Sequence, residues 1–335
     1  MTAAQRTRVL IVDDSAVMRS LLRSVVAADA RLEVAGTAAD GADALTILEI
    51  LKPDLVLLDV EMPVMDGLAS LRELRKRGHK MPVIVCSSLT QRGARATIEA
   101  LAGGASDYLA KPTAQCNREA AIQALAQDLI PKIHALVGLP QPQPLFPGAP
   151  RPAAAPPAPL FLPLAPPVRA QPISFVPTVV AIGVSTGGPA ALDVLLPALP
   201  ANFPLPVLIV QHMPEAFTGL FAERLNNRCR LRVREAVEGV PVAAGNIYIA
   251  RGDWHMEVLE GASAGAPATL HLTQGPLESH CRPAVDNLLR SVTRVYGPGV
   301  LAVILTGMGL DGMNGCRAVR EAGGCVLAQD QATST

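Results

Sequence analysis

The chain lacks a charge excess. Its 29 Lys and Arg balance 29 Asp and Glu over 335 residues, so no overall field argues for nucleic acid or an anionic membrane surface. It lacks a signal core: Met1 to Arg8 holds no apolar run, and Val9 to Val12 is too short to serve. No apolar stretch reaches the roughly 20 residues that span a bilayer. The six cysteines (Cys86, Cys116, Cys229, Cys281, Cys316, Cys325) form no Cys-x-x-Cys pair and, without an export signal, read as reduced thiols. No His-x-x-x-His or His-Glu-x-x-His spacing points to a metal among the histidines. There is no internal repeat. These absences leave a soluble cytoplasmic protein of about two domains, with half of its residues apolar and able to fill two cores.

Proline is unevenly spread. Pro140 to Pro177 holds 14 of the 30 prolines, interleaved with Ala and almost no charge. Such a stretch builds no packed core and is expected to be an extended tether. Leu160, Phe161, Leu162 and Leu164 within it could either dock or be solvated. The expected division is therefore 1–139, a linker over 140–177, and 178–335. Nothing after the linker has a basic recognition helix, which argues against a transcription factor.

The first part alternates apolar strands with helical stretches: strands at Arg8–Val12, Leu32–Ala35, Leu55–Asp59, Val83–Cys86 and Asp107–Ala110. Strict alternation predicts a doubly wound parallel α/β sheet. Polar residues fall at the carboxyl ends of the strands, where such sheets carry their sites: Asp13 and Asp14, Asp59, Ser87 and Lys111. Capping of the first helix would account for Asp13 and Asp14, but not for Asp59 or Lys111. Clustered carboxylates repel unless a cation sits among them, and oxygen ligands suit Mg²⁺. With Val12-Asp-Asp-Ser15, Leu58-Asp-Val-Glu-Met-Pro63, Met65-Asp-Gly67, Ser87, Tyr108 and Lys111-Pro112, residues 8–125 resemble the receiver domain of two-component response regulators. That resemblance implies phosphorylation of Asp59 by a histidine kinase. It implies Mg²⁺ on Asp13, Asp14, Asp59 and the Glu61 carbonyl, and Lys111 paired with the acyl phosphate. It also implies that Ser87 and Tyr108 move as the readout.

In the second part three apolar strands end in reactive residues. Val179–Val184 runs into Ser185-Thr-Gly-Gly-Pro189, a Gly-x-Ser-x-Gly turn that opens a helix. Pro206–Val210 runs into Gln211-His-Met-Pro214, and Leu301–Leu305 into Thr306-Gly-Met-Gly-Leu-Asp-Gly312. Parallel neighbours would bring Ser185, His212 and Asp311 together as nucleophile, base and orienting carboxylate. A structural or phosphate-binding turn is the plainer reading of the glycines. Among the other histidines, His255 is expected in a hairpin or loop, His271 on a solvent-facing strand and His280 in a polar loop. Asp330, also at a strand end, is the main rival to Asp311. Asp253 could border the cleft, and Asp286 falls inside a helix.

With Tyr248-Ile-Ala250, Gly252-Asp253, His255-Met256, Arg282-Pro283 and Val285-Asp286 added to these motifs, residues from 178 onward resemble the catalytic domain of the chemotaxis protein-glutamate methylesterases, the CheB family. The resemblance implies a Rossmann-like domain without a cofactor. It implies hydrolysis of glutamate γ-methyl esters on methylated chemoreceptors, with deamidation of receptor glutamines as a second activity. Backbone N–H groups near Thr186 and Met308 are the implied oxyanion donors. Family members usually continue past a position like Gln329-Asp330, so a sequence stopping at Thr335 is expected to be either a fragment or a chain without a covering element, in which case apolar sheet would be exposed. The chain is expected to be a monomer that meets the membrane only through receptors. One regulatory and one catalytic domain on a tether suggest that the receiver covers the Ser185 cleft until Asp59 is phosphorylated. The rival readings are a relative serving a non-chemotaxis signalling array and a binding regulator without turnover.

Overall fold

The structure, a computed structural model, describes residues 6–112, 117–139, 175–263 and 265–334. The expected tether lies outside the described residues except for 175–177, as do Leu160, Phe161, Leu162, Leu164 and Cys116.

The first half runs β1 (Thr7–Val12), α1 (Ala16–Ala28), β2 (Leu32–Ala38), α2 (Gly41–Leu51), β3 (Leu55–Asp59), α3 (Gly67–Lys76), β4 (Val83–Ser87), α4 (Gln91–Ala102), β5 (Asp107–Ala110) and α5 (Arg118–Leu136). The strands are parallel in the order β2-β1-β3-β4-β5. The helices start behind side chains that accept from their first N–H groups: Ser15, Asp40, Asp66, Thr90 and Asn117. β3 and β4 are buried along their whole length, as near-continuous apolar runs covered on both faces must be. The strand order reverses beside β1, which opens a crevice at the carboxyl ends of β1 and β3.

The second half runs β6 (Val179–Val184), α6 (Gly188–Ala198), β7 (Val207–Gln211), α7 (Glu215–Asn226), β8 (Arg232–Glu235), β9 (Asn246–Ile249), β10 (His255–Leu259), β11 (Thr269–Thr273), α8 (Val285–Tyr296), β12 (Val300–Ile304), α9 (Met313–Glu321) and β13 (Cys325–Ala328). Its main sheet is parallel in the order β13-β12-β6-β7-β9-β8, and β10 and β11 form an antiparallel pair beside it. β6 lies between β12 and β7, with Ile182 level with Val303 on one side and Ile209 on the other. Three neighbouring strands thus end together, and the residues that follow them meet.

His255 falls in the expected hairpin, which the consecutive strands β10 and β11 form. His255 opens β10 and is 1% exposed. Its Nε2 donates to the Pro276 carbonyl at 2.9 Å, and its Nδ1 accepts from Ala284 N at 3.3 Å. Met256 and Val258 are buried along the same strand. His271 is half-exposed beside Glu238.

The two halves touch. α4 packs on α7, and the Tyr108 ring meets Phe217 with centroids 5.1 Å apart. One apolar cluster is continuous from Leu101 and Tyr108 to Phe217 and Phe221. Among the described residues, no helix is long and apolar enough to cross a membrane.

Candidate active site

β6 ends at Val184, and the chain doubles back at once, with Gly188 N donating to the Ser185 carbonyl at 2.8 Å. Gly187 sits at φ 76°, a left-handed conformation that glycine adopts without strain. The loop after β12 closes over the serine: a Cβ on Gly307 would stand 2.8 Å from Ser185 Cβ. His212 follows β7. Its Nδ1 lies 3.1 Å from Ser185 Oγ, and its Nε2 lies 2.7 Å from Asp311 Oδ2. A carboxylate only accepts, so Nε2 carries a proton there, and in the neutral ring Nδ1 presents its lone pair to the serine hydroxyl. Asp311 also accepts from Val285 N at 2.7 Å and Asp286 N at 2.9 Å, the opening N–H groups of α8.

The electrostatics follow from these partners. Burial alone would push the His212 imidazole down, but the Asp311 carboxylate and the nearby Cys281 thiol outweigh it and bring the group to about 9. For Asp311, burial acts upward, yet His212 and the two α8 N–H groups hold it below its ordinary value. A hydroxyl on an imidazole that is itself oriented by a carboxylate is equipped for acyl transfer. The three residues line a cavity of about 100 Å³ together with Met308 and Gly309. Thr186 is buried, and its carbonyl accepts from Thr306 Oγ1 at 3.0 Å.

The rivals fall elsewhere. Asp330 is exposed and accepts from Thr333 N at 2.9 Å. Asp253 pairs with Arg282 at 2.6 Å. Asp286 is buried with its carboxylate on Gly315 N at 2.6 Å.

At the other crevice, Lys111 Nζ lies 2.8 Å from Asp13 Oδ2 and 2.7 Å from Asp59 Oδ2. Oxygens of Asp13, Asp14 and Asp59 all lie within 4.8 Å of one another. Burial pushes the Asp59 carboxyl up, Lys111 opposes this, and the Asp13 charge adds to it. Lys111, although burial acts against its charge, is held above its ordinary value by Asp13 and Asp59. Three hard oxygen donors crowded together beside one ammonium fit a small divalent cation. Ser87 is buried at the end of β4, one residue past the Cys86 that pairs with Asp59. Tyr108 donates its hydroxyl to the His212 carbonyl at 3.4 Å.

Known proteins share both halves. Residues 180–335 match the model of the CheB methylesterase family, and residues 9–132 match that of the response regulator receiver domain. A protein-glutamate methylesterase/protein-glutamine glutaminase of Nocardioides sp. is 46% identical over 98% of this chain and 86% of its own length. A relative of the same name from Trichodesmium erythraeum is 42% identical over 98% of this chain and 90% of its own. The chain belongs to the CheB methylesterase family. Among solved structures, the Thermotoga maritima CheB methylesterase catalytic domain is 42% identical, with 48% of this chain and 82% of that one aligned and a TM-score of 0.46.

In this CheB-family chain, the residues that reasoning from sequence passed over are those that act through the backbone or across space. The N–H groups of Val285 and Asp286 reach Asp311 from a helix whose start carries no side-chain cap. Cys281 comes to His212 from a polar loop. Val285-Asp286 stood out as motif letters and Cys281 only by nearness to Arg282-Pro283, and neither signal says that a backbone N–H or a thiol would turn toward the site.

Proposed function

We propose that this chain is a phosphorylation-gated serine esterase. It hydrolyses glutamate γ-methyl esters on chemoreceptors with release of methanol, and also deamidates receptor glutamines. The observation that carries this reading is the hydrogen-bonded series Ser185–His212–Asp311. In it, His212 Nδ1 takes the Ser185 proton as Oγ attacks the ester carbonyl. Asp311 holds the imidazole and balances its charge. The proton then passes to the departing methoxide, and water releases the acyl group by the reverse path. Backbone N–H groups at Thr186 and Met308 are the proposed oxyanion donors. Losing one such donor typically costs roughly 3 kcal/mol of transition-state stabilisation.

Residues 1–139 act as the receiver, 140–177 as the tether and 178–335 as the esterase. Asp59 takes a phosphoryl group from a histidine kinase in the cytoplasm, with Ser87, Tyr108 and Lys111 as the responding residues. Asp13, Asp14 and Asp59 would hold Mg²⁺, which neutralises charge on the transferring phosphoryl group when bound. The contact of Tyr108 with the His212 turn supports gating through this interface.

The test is methanol release from methylated receptor membranes with and without a small phosphodonor. Release should rise with the phosphodonor. It should vanish in Ser185→Ala and lose its stimulation in Asp59→Asn. No release from an intact chain that is phosphorylated at Asp59 would favour a binding role instead.

A further inference from the structure

We infer that Gln211 is a positioning residue: its buried carboxamide ties the Ser185 turn to the His212 turn and so fixes nucleophile against base. The assignment rests on the esterase reading above.

β6 and β7 pair up to the rung Val184–Gln211. Beyond it both chains leave the ladder, Ser185 into its turn and His212 toward Pro214. Gln211 is 1% exposed. Its Nε2 lies 3.0 Å from the Ser185 carbonyl and 3.2 Å from the His212 carbonyl. Two carbonyls can be met only by the –NH₂ end, so chemistry fixes which way the amide points. One side chain thus adds the rung that the diverging strands lose, and it adds it between the backbones of the two reacting residues.

Two further observations show that the amide is held for this end rather than for filling space. Its Oε1 is buried without a hydrogen-bond partner among the described residues, a burden that a methionine of similar length would not carry. The neighbouring Gly188 is required for room: a Cβ there would lie 2.1 Å from Gln211 Oε1 and 2.6 Å from Val184 Cγ2. Its φ is not in the left-handed region, so close approach of the carboxamide, not backbone conformation, calls for glycine. The same His212 carbonyl accepts the Tyr108 hydroxyl, so the receiver touches the catalytic half at the group that Gln211 holds.

The experiment uses the full chain and an alkyl fluorophosphonate, following the rate at which Ser185 is labelled against probe concentration, alongside thermal melting. Rates are referred to the fraction that melts in the native transition. Gln211→Met keeps length and loses both donors. Gly188→Ala keeps the amide and displaces it. Each should lower the limiting rate by about 10- to 100-fold, the scale of a sub-ångström to 1 Å misplacement, while the half-saturating probe concentration stays put. A wild-type limiting rate in the folded fraction of either variant overturns the assignment. So does a loss explained wholly by unfolding. A wild-type chain that does not label overturns the esterase reading and this assignment with it. Labelling of wild type with unimpaired variants removes this assignment alone.

Discussion

At the level of single residues, His212 decides the pH behaviour. Asp311 and Cys281, acting against burial, hold it at about 9, and the protonated ring cannot take the serine proton. Fluorophosphonate labelling of Ser185 should therefore climb with pH and reach half its plateau near that value. A rate already at plateau at about pH 7 contradicts this. The sign for stability is opposite. A pKa raised in the fold means that the charged ring is favoured there, so its contribution is full below the free value of about 6.5 and fades as pH rises through about 9. The urea midpoint of the wild type should fall over that window more than that of His212→Gln. Asp311→Asn tests the orienting role. Asp286 N donates to Oδ1, whereas Val285 N shares Oδ2 with His212 Nε2, so an amide oxygen that keeps the Asp286 N bond puts the –NH₂ in place of Oδ2, facing Nε2. Nε2 must then accept, and the proton moves to Nδ1, where the serine needs a lone pair. Such a tautomer error costs roughly 10³- to 10⁴-fold in rate, to be read as methanol release at equal folded protein.

At the level of elements, α8 and α9 cooperate behind the site. The Asp286 carboxylate accepts from Gly315 N, pinning the start of α9, which follows the Asp311 loop directly. Removing it in Asp286→Ala leaves a buried N–H without a partner, a loss of about 1–3 kcal/mol. A lower urea midpoint together with slower labelling is expected, and a midpoint equal to wild type would refute the pinning. This contact also marks the limit of what the sequence disclosed. Buried parallel strands are legible because apolar runs of five or six residues end in a carboxylate, a serine or a histidine, and the parallel fold sends all such ends to one edge. Ser185, His212, Asp311 and the Asp13–Asp59–Lys111 group were legible for that reason. The short strands β8 and β9 were not, since Arg232–Glu235 has no apolar run and its pairing is decided by distant residues. The hairpin at His255 was legible from the turn chemistry of Gly252, Asp253 and Trp254, but its burial was not, since the ring bonds the Pro276 carbonyl and Ala284 N, some twenty to thirty residues on. Gln211 and Gly188 were visible as motif letters, but their contact belongs to the packing of two turns that periodicity does not describe.

At the level of the whole molecule, the question is how the proposed phosphoryl group on Asp59 would alter Ser185. Tyr108 is the proposed physical link. It stands on β5 beside the phosphorylation crevice, its carbonyl accepts from Lys132 Nζ at 2.7 Å, its ring lies on Phe217, and its hydroxyl reaches the His212 carbonyl. An aromatic pair contributes about 0.5–1.5 kcal/mol beyond its area, and a neutral hydrogen bond about as much. Together they are worth about 1–3 kcal/mol, or roughly 5- to 150-fold in the ratio of closed to open arrangements. A Pro- and Ala-rich connection holds the partners at high effective concentration, so a contact of this size suffices to keep the halves together and is small enough for one local change to undo. Tyr108→Ala should therefore raise methanol release without phosphodonor by several-fold and shrink the further gain on adding it. Asp59→Asn should do the reverse, holding release at the low basal rate with no gain. If Tyr108→Ala leaves the basal rate and the stimulation as they are, the Tyr108 contact is incidental. The signal would then be carried by the packing of α4 on α7 and α6 instead, and substitutions on α4 would be the next to alter the ratio.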